Sequence, residues 1–275
     1  MTVNFWEKLK PHEHNITQGD LSMYLKERLA AEHRLIGALI YSNSPEVIEY
    51  AAVGMDWIWW EGQHTHASWE RMIHGVRTAQ WMGIPALTRT WTHDGGTIER
   101  LLDTGAEGII VPMVDTPEQA EEIVSHCYYP PIGNRSFGAV RMERIEKDLN
   151  EWNKRIVTIL MIETPQALQN AEAIANVPGV DGLYVGMRDL ALRLGRDVDD
   201  YTAHASLTDE LDHVVKSCQS AGKAAAVLVS SPDELVSRIQ DGYQLICAGA
   251  DLNIIEAGWR QMREVFEKAT RDTNR

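Results

Sequence analysis

The sequence predicts a single (β/α)8 barrel, an α/β fold, and three observations lead to this prediction. Short apolar segments alternate with longer amphipathic segments along most of the chain, as is typical of βαβ units. Eight apolar segments can be recognised, which is the number that closes such a barrel. A chain of 275 residues with 44% hydrophobic content can bury one large core as a single domain. An open doubly wound sheet is the alternative, but no glycine-rich phosphate loop follows the first strand.

The predicted elements follow one another in regular order. Strands are expected at 35–42, 56–62, 84–90, 107–112, 156–163, 180–186, 223–230 and 243–249. Several segments between them begin with Ser, Thr, Asp or Pro and end with Gly, the residues that start and stop helices. Helical patterns cover 45–52, 98–105, 117–127, 164–175, 207–222 and 232–242. Residues 1–33 are predicted to form a leading helical segment of the single domain 1–275.

Composition limits the classes of partner. A net charge of −14 disfavours nucleic acid and anionic membranes, which attract basic surfaces. The three cysteines have no C-x-x-C spacing and fit buried packing positions in a reducing compartment. The chain has no apolar signal core at its start and no apolar run of the roughly 18 residues that a membrane span needs. We therefore expect a cytoplasmic protein that acts on small molecules.

Titratable residues cluster where the predicted strands end, which in a (β/α)8 barrel is the catalytic face. These residues are Glu61, His64, Arg89, Glu163, Asp189 and Asp251. Glu163 and Asp189 follow adjacent strands, and two carboxylates with open positions suit Mg²⁺ or Mn²⁺. The backbone of Gly186, Met187 and Arg188 begins the next helix, where free N–H groups can bind a small carboxylate. Arg89 supplies a permanent positive charge opposite them.

Three other functions compete with a metal-dependent reaction on a small acid. His64 and His66 have the His-x-His spacing of a zinc amidohydrolase, with Asp251 at the eighth strand, but histidines at the ends of strands five and six are missing. A Schiff-base aldolase needs a lysine in the barrel mouth, and no predicted strand ends in Lys. A catalytically silent scaffold is the third alternative, and metal binding distinguishes it.

A set of motifs in fixed order resembles one enzyme family. The segments are DWIWWEGQH, PALTRTW, LLDTGAEGIIVPMVDTPEQAEEIV, YYPPIGNRSFG, MIETPQAL and GVDGLYVGMRDLA. They are similar to the HpcH/HpaI aldolases, class II pyruvate aldolases with a pyruvate/phosphoenolpyruvate-type barrel, over roughly residues 30–265. The resemblance implies reversible cleavage of a 4-hydroxy-2-oxo acid to pyruvate, or a related 2-oxo acid, and an aldehyde. It also implies a divalent cation as cofactor, Mg²⁺, Mn²⁺ or Co²⁺.

The same resemblance implies roles for individual residues. Glu163 and Asp189 hold the metal, Arg89 stabilises the enolate oxygen, and His64 transfers a proton. Asp103 is expected to approach the histidine from a neighbouring subunit, because the family forms hexamers built as trimers of helix-swapped dimers. His66 has no role in this scheme.

Four positions depart from the family pattern. Glu61 is longer than the usual aspartate, Gln63 replaces an acid, Met161 stands where Gln is frequent, and Arg188 replaces a small residue beside Asp189. These changes leave the metal pair intact and leave the identity of the aldehyde open.

Overall fold

A computed structural model of the chain describes residues 23–31, 33–138, 140–196, 198 and 206–273. Its eight strands are parallel and close into a barrel in sequential order, which confirms the predicted fold. The strands are β1 (Leu35–Ile40), β2 (Trp57–Trp60), β3 (Ala86–Arg89), β4 (Gly108–Val111), β5 (Val157–Ile162), β6 (Gly182–Val185), β7 (Ala224–Val229) and β8 (Leu245–Ala250). Seven strands lie inside their predicted ranges, and the eighth extends one residue further, to Ala250.

Helices follow the strands and form the outer layer. They are α1 (Leu25–Ala30), α2 (Pro45–Ala51), α3 (Trp69–Met82), α4 (Gly95–Leu102), α5 (Pro117–Cys127), α6 (Met142–Ile145), α7 (Leu149–Arg155), α8 (Pro165–Gln169), α9 (Ala171–Ala175), α10 (Met187–Arg193), α11 (Thr208–Ala221), α12 (Pro232–Asp241) and α13 (Asp251–Thr273). The pattern predicted over 164–175 is divided into two short helices at Asn170. Of the predicted leading segment, residues 1–22 lie outside the described residues, and α1 is its described part.

Strand alternation determines which side chains fill the barrel. Successive side chains of a strand point to opposite faces. Trp57 and Trp59 of β2 therefore lie in the interior cluster, whereas Trp60 packs outward against α3. Gly37 of β1 makes room for this filling, because a Cβ there would lie 2.2 Å from the Trp57 ring.

Helix α1 closes the amino-terminal end of the barrel. Leu25 and Leu29 are buried in the same cluster as the barrel interior. Lys26 Nζ donates hydrogen bonds to Tyr128 Oη at 2.9 Å, to the Ile156 carbonyl at 2.9 Å and to Asp181 at 3.0 Å. All three donor positions of the ammonium group are thus satisfied by protein atoms.

Helix α13 is attached to the barrel only at its start. Every residue from 252 to 272 is exposed, although the helix carries large apolar side chains, namely Leu252, Ile254, Ile255, Trp259, Met262, Val265 and Phe266. The preceding helix α12 has no buried residue either. Several large apolar side chains exposed on one helix are typical of a surface that contacts another chain or another part of the same chain.

Two predictions from composition can be compared with the structure. Cys127, Cys218 and Cys247 are all free and buried, as expected for packing residues. Within the described part of the chain, no helix has the length and apolar character needed to cross a bilayer.

Candidate active site

Alternation along the strands brings four polar side chains into one layer above the barrel core. Leu39, Trp59, Leu87 and Met161 point inward, so the residues two positions later point inward as well. These residues are Tyr41, Glu61, Arg89 and Glu163. Tyr41, Arg89 and Glu163 line a cavity of about 460 Å³ at the carboxyl ends of the strands, and Glu61 is paired with Arg89. A cavity of this volume is typical of small-molecule sites.

Arg89 lies between two carboxylates in this layer. Its Nη1 is 3.5 Å from Glu61 Oε2 and its Nη2 is 3.4 Å from Glu163 Oε1. Its guanidinium carbon is 5.7 Å from the centre of the Trp59 ring, and the residue is only 6% exposed. Arg89 Nε has no hydrogen-bond partner among the described residues. The guanidinium is therefore fixed in position but keeps donor capacity toward a ligand.

Glu61 organises the loop that carries His64. Glu61 Oε1 accepts hydrogen bonds from the backbone N–H groups of Gln63 at 2.6 Å and His64 at 2.9 Å, and Oε2 accepts one from Trp59 Nε1 at 3.0 Å. The residue is fully buried. Sequence reasoning placed Glu61 at a strand end but gave it no function. The inward alternation of Trp57, Trp59 and Glu61 was the signal that could have revealed it.

Glu163 is a buried carboxylate with few partners. It is 1% exposed and accepts a hydrogen bond of 2.8 Å from the backbone N–H of Met113, a residue with a φ of 59°. Burial raises the pKa of Glu163, and the charge of Asp189 adds to the rise, while Arg89 and the Met113 N–H oppose it. A Cβ at position 186 would lie 2.4 Å from Glu163 Cγ, so Gly186 is required for this carboxylate to occupy its place.

The arrangement of Glu163 and Asp189 fits a divalent cation. Both residues line the cavity, and the charge of Asp189 contributes to the raised pKa of Glu163, as expected for two carboxylates that repel each other unless a cation lies between them. No group of three or more His, Cys, Asp or Glu side chains suited to a metal occurs in the described ranges. Two protein oxygens with the other positions left to water and substrate are typical of Mg²⁺ or Mn²⁺ sites.

The other predicted ligand-binding residues also reach the cavity. Its lining includes His64 and the segment from Gly186 to Asp189. His66 does not line it, but it does line a neighbouring cavity of about 490 Å³ that shares Tyr41 and His64 with the first. The sequence prediction of one mouth for His64, Arg89, Glu163 and Asp189 agrees with this geometry.

The contacts of Asp251 do not support the zinc amidohydrolase alternative. Asp251 Oδ1 accepts a hydrogen bond of 2.8 Å from the Tyr41 N–H, and its Oδ2 accepts bonds from the N–H and hydroxyl of Ser42. Its carboxylate therefore ties the end of β8 to the loop after β1. With no His-rich cluster in the part of the chain that the structure describes, Asp251 is structural.

Asp103 lies away from the cavity, at the carboxyl end of α4. Arg135 Nη2 donates a hydrogen bond of 2.6 Å to Asp103 Oδ1. The Arg135 side chain is fully buried, and its guanidinium stacks on the Tyr129 ring at 4.7 Å. The carboxylate of Asp103 remains 37% exposed. A rigid buried cation thus holds a surface carboxylate in one orientation, a pairing that sequence reasoning missed.

Comparisons with known proteins agree with the barrel and with the motifs. The profile of the HpcH/HpaI aldolase/citrate lyase family matches residues 36–256. A 2-keto-3-deoxy-L-rhamnonate aldolase from Klebsiella pneumoniae is 32% identical over 237 residues, covering 84% of this chain and 88% of that protein. The solved structure of the citrate synthase SbnG superposes with a TM-score of 0.79 at 26% identity, covering 92% of this chain and 99% of that chain. A family protein from Burkholderia cenocepacia superposes with a TM-score of 0.81 at 25% identity, covering 88% and 98%.

Proposed function

The chain belongs to the HpcH/HpaI aldolase/citrate lyase family, and from this premise we propose that its barrel mouth catalyses the reversible cleavage of a 4-hydroxy-2-oxo acid to pyruvate and an aldehyde. The observation that carries the proposal is the buried pair of Glu163 and Arg89 beside Asp189 in one cavity. The relatives named 2-keto-3-deoxy-L-rhamnonate aldolase support it, because a 2-keto-3-deoxy sugar acid is itself a 4-hydroxy-2-oxo acid.

Glu163 and Asp189 are the residues that would hold a divalent cation, Mg²⁺, Mn²⁺ or Co²⁺. When bound, the cation supplies Lewis-acid polarisation of the substrate's 2-oxo group. Gly186, Met187 and Arg188 line the same cavity, and their backbone N–H groups are the ones that would bind the substrate carboxylate.

Cleavage needs one proton acceptor and one stabilised anion. His64 takes the proton of the 4-hydroxyl group, the C3–C4 bond breaks, and its electron pair forms the enolate of pyruvate. The aldehyde leaves, C3 of the enolate takes up a proton from solvent to give pyruvate, and His64 releases the proton that it took to solvent. Arg89 stabilises the enolate oxygen, because its position is fixed by Glu61 and Glu163 before charge develops.

Asp103 would orient His64 of a neighbouring subunit. Its position at the end of α4 is outside its own cavity, and Arg135 holds it at the surface, which suits presentation to a second chain. The exposed apolar face of α13 supports a helix-swapped dimer, in which α13 covers the barrel of a second copy. A groove lined by residues of β7, β8, α12 and the start of α13 is available for such a helix. A trimer of these dimers gives the expected hexamer.

The enolate step can be tested without knowing the aldehyde. We expect the enzyme loaded with Mg²⁺ or Mn²⁺ to exchange the methyl protons of pyruvate for deuterium in D₂O, followed by ¹H NMR. Glu163→Gln should abolish the exchange. A catalytically silent scaffold or a hydrolase gives no exchange in the wild-type protein, and that result would disprove the proposed function. A panel of aldehydes added to pyruvate then identifies the acceptor.

A further inference from the structure

Tyr184 of β6 places a hydroxyl group among the apolar side chains that fill the barrel. The residue belongs to the interior cluster, lies beside Met161 in the register of β5 and β6, and is only 3% exposed. Glu163 and Gly186 come two positions later on the same two strands, so they face inward in the next layer. Tyr184 therefore lies one layer below Glu163, and it lines the same cavity.

The hydroxyl of Tyr184 makes no hydrogen bond with any residue that the structure describes. Tyr243, another buried tyrosine, instead donates its hydroxyl to the Leu211 carbonyl at 3.3 Å. Buried polar groups nearly always have a partner, and each exception needs a reason. Because Tyr184 lines a cavity, a bound ligand is the partner that its hydroxyl can reach.

The charges around Tyr184 favour a neutral hydrogen-bond donor. Burial raises the pKa of Tyr184 well above that of an ordinary phenol, Cys247, Tyr41 and Glu163 add to the rise, and Arg89 opposes it. The side chain is thus within electrostatic reach of both Arg89 and Glu163. Its hydroxyl keeps its proton at neutral pH and can donate a hydrogen bond to an anionic oxygen.

Trp59 supports both Tyr184 and Arg89. The rings of Trp59 and Tyr184 meet edge to face, with their centroids 4.6 Å apart and an interplanar angle of 84°. The guanidinium carbon of Arg89 is 5.7 Å from the centre of the same indole. Trp59 is itself held by the hydrogen bond from its Nε1 to Glu61 at 3.0 Å. One neutral donor and one charged donor are therefore positioned around a single fixed ring.

We propose that the Tyr184 hydroxyl is a second hydrogen-bond donor to the enolate oxygen of pyruvate, beside Arg89. This inference rests on the proposed aldolase function and adds a catalytic residue to it. As the C3–C4 bond breaks and negative charge develops on the 2-oxo oxygen, the hydrogen bond from Tyr184 to that oxygen becomes stronger, and the hydroxyl keeps its own proton. A donor that is already in place lowers the barrier because it needs no reorganisation.

Tyr184→Phe tests the donor because it removes one oxygen and leaves the ring. In the enzyme loaded with Mg²⁺, kcat for deuterium exchange into pyruvate should fall roughly 10²-fold, the effect of removing one donor to an oxyanion. The KM for pyruvate should change by less than about three-fold, since the neutral 2-oxo group depends less on the donor. Tyr243→Phe is the matched control, because its hydroxyl bonds to Leu211 outside the cavity, and it should keep the exchange rate.

Oxalate gives a measurement that does not depend on turnover. Its second carboxylate places a negatively charged oxygen where the enolate oxygen forms. In calorimetric titrations of the protein loaded with Mg²⁺, Tyr184→Phe should weaken oxalate binding roughly ten-fold or more and pyruvate binding by less than about three-fold. Tyr184→Met also removes the donor and should show the same difference, so the result does not depend on one substitution.

The possible failures are distinguishable. Wild-type exchange and wild-type oxalate affinity in Tyr184→Phe overturn the donor role and leave the aldolase function intact. Equal losses of oxalate and pyruvate affinity, with a fall in Tm, indicate a structural hydroxyl and overturn the donor role as well. Absence of exchange in the wild-type enzyme overturns the proposed function, and the donor role with it.

Discussion

The two ends of the barrel hold their charged side chains in different ways. At the amino-terminal end, Lys26 is bonded at 2.9–3.0 Å to Tyr128, Ile156 and Asp181, and Asp181 accepts a further bond from the Thr158 N–H. At the carboxyl end, the Arg89 ion pairs measure 3.4 and 3.5 Å, and Arg89 Nε has no partner in the described residues. A charged side chain whose hydrogen bonds are all made to the protein itself has a structural role. A charged side chain in a cavity that still has an unused hydrogen-bond donor is available to bind a ligand.

The largest effect should come from removing the carboxylates of the mouth. Glu163→Gln or Asp189→Asn should lower kcat/KM by roughly 10³-fold or more, because several kcal/mol of transition-state stabilisation depend on the cation. EDTA should abolish activity, and Mg²⁺, Mn²⁺ or Co²⁺ should restore it. Full activity in chelator, or a substrate adduct trapped by borohydride, contradicts the metal mechanism.

Lys26→Met at the other end is the matched control for this comparison. It breaks charged hydrogen bonds that cost about 1–3 kcal/mol to lose, so the Tm should fall by several degrees. The kcat/KM of the remaining folded protein should stay within about two-fold of wild type, because Lys26 is outside the reacting cavity.

The histidines of the mouth should differ from each other by a smaller but still large factor. His64→Ala should slow aldol cleavage by roughly 10²- to 10⁴-fold, the scale of lost acid-base catalysis. His66→Ala should remain near wild type with an uncharged aldehyde, since His66 lines the neighbouring cavity and not the one that holds Glu163 and Asp189. The measurement is steady-state cleavage with each variant. Equal losses of activity in the two variants would instead support the hypothesis that His64 and His66 bind a metal together.

A subunit-mixing experiment tests whether the mouth is complete within one chain. Arg89→Ala and Asp103→Ala should each be nearly inactive alone. Equal mixing leaves half of the chains with Arg89 and half with Asp103, so random pairing across a two-fold interface restores roughly a quarter of the sites. Recovery of activity after verified exchange supports a shared site. If no activity is recovered, the shared site is contradicted, and the role of Asp103 is limited to its structural ion pair with Arg135.

The pH dependence of metal binding should show the smallest, graded effect. Burial raises the pKa of Glu163 above the ordinary value of 4.5, and the metal needs the ionised carboxylate. Affinity for Mn²⁺ should therefore weaken as the pH falls, starting at a higher pH than an exposed glutamate would give. By the same shift, the metal-free protein is less stable above the folded-state pKa than below it. Calorimetric titration with Mn²⁺ between about pH 5 and about pH 8 measures the effect, and a constant Kd contradicts it.

Much of the fold and part of the site could be predicted from the sequence, because they depend on patterns of neighbouring residues. The eight strands are predicted by short, nearly continuous apolar runs, which are typical of parallel strands buried on both faces. The family resemblance and the aldolase activity that it implied are confirmed by the family match and by the named relatives. Glu163 and Arg89 were found because strand ends in a barrel converge. The roles of the individual site residues remain predictions.

Other features could not be predicted because they join distant parts of the chain. Asp251 was a candidate ligand in the sequence, but its partners Tyr41 and Ser42 come from the opposite end of the chain. The same applies to the pairing of Asp103 with Arg135, 32 residues away. No local pattern specifies such contacts.

The order of elements, the inward side of each strand and the residues at the strand ends follow from the amino-acid sequence alone, because these features depend on the backbone periods of two and 3.6 residues. Which charged groups find hydrogen-bond or ion-pair partners depends instead on the contacts made when the barrel closes. Closure of the barrel buries Glu163 beside Arg89 and uses Asp251 as a clamp. It leaves Arg188 without a partner among the described residues and the apolar face of α13 exposed. Hydrogen bonding and desolvation act between atoms that are distant in the chain and meet only in the folded barrel, as Asp251 meets Tyr41 where β8 pairs with β1.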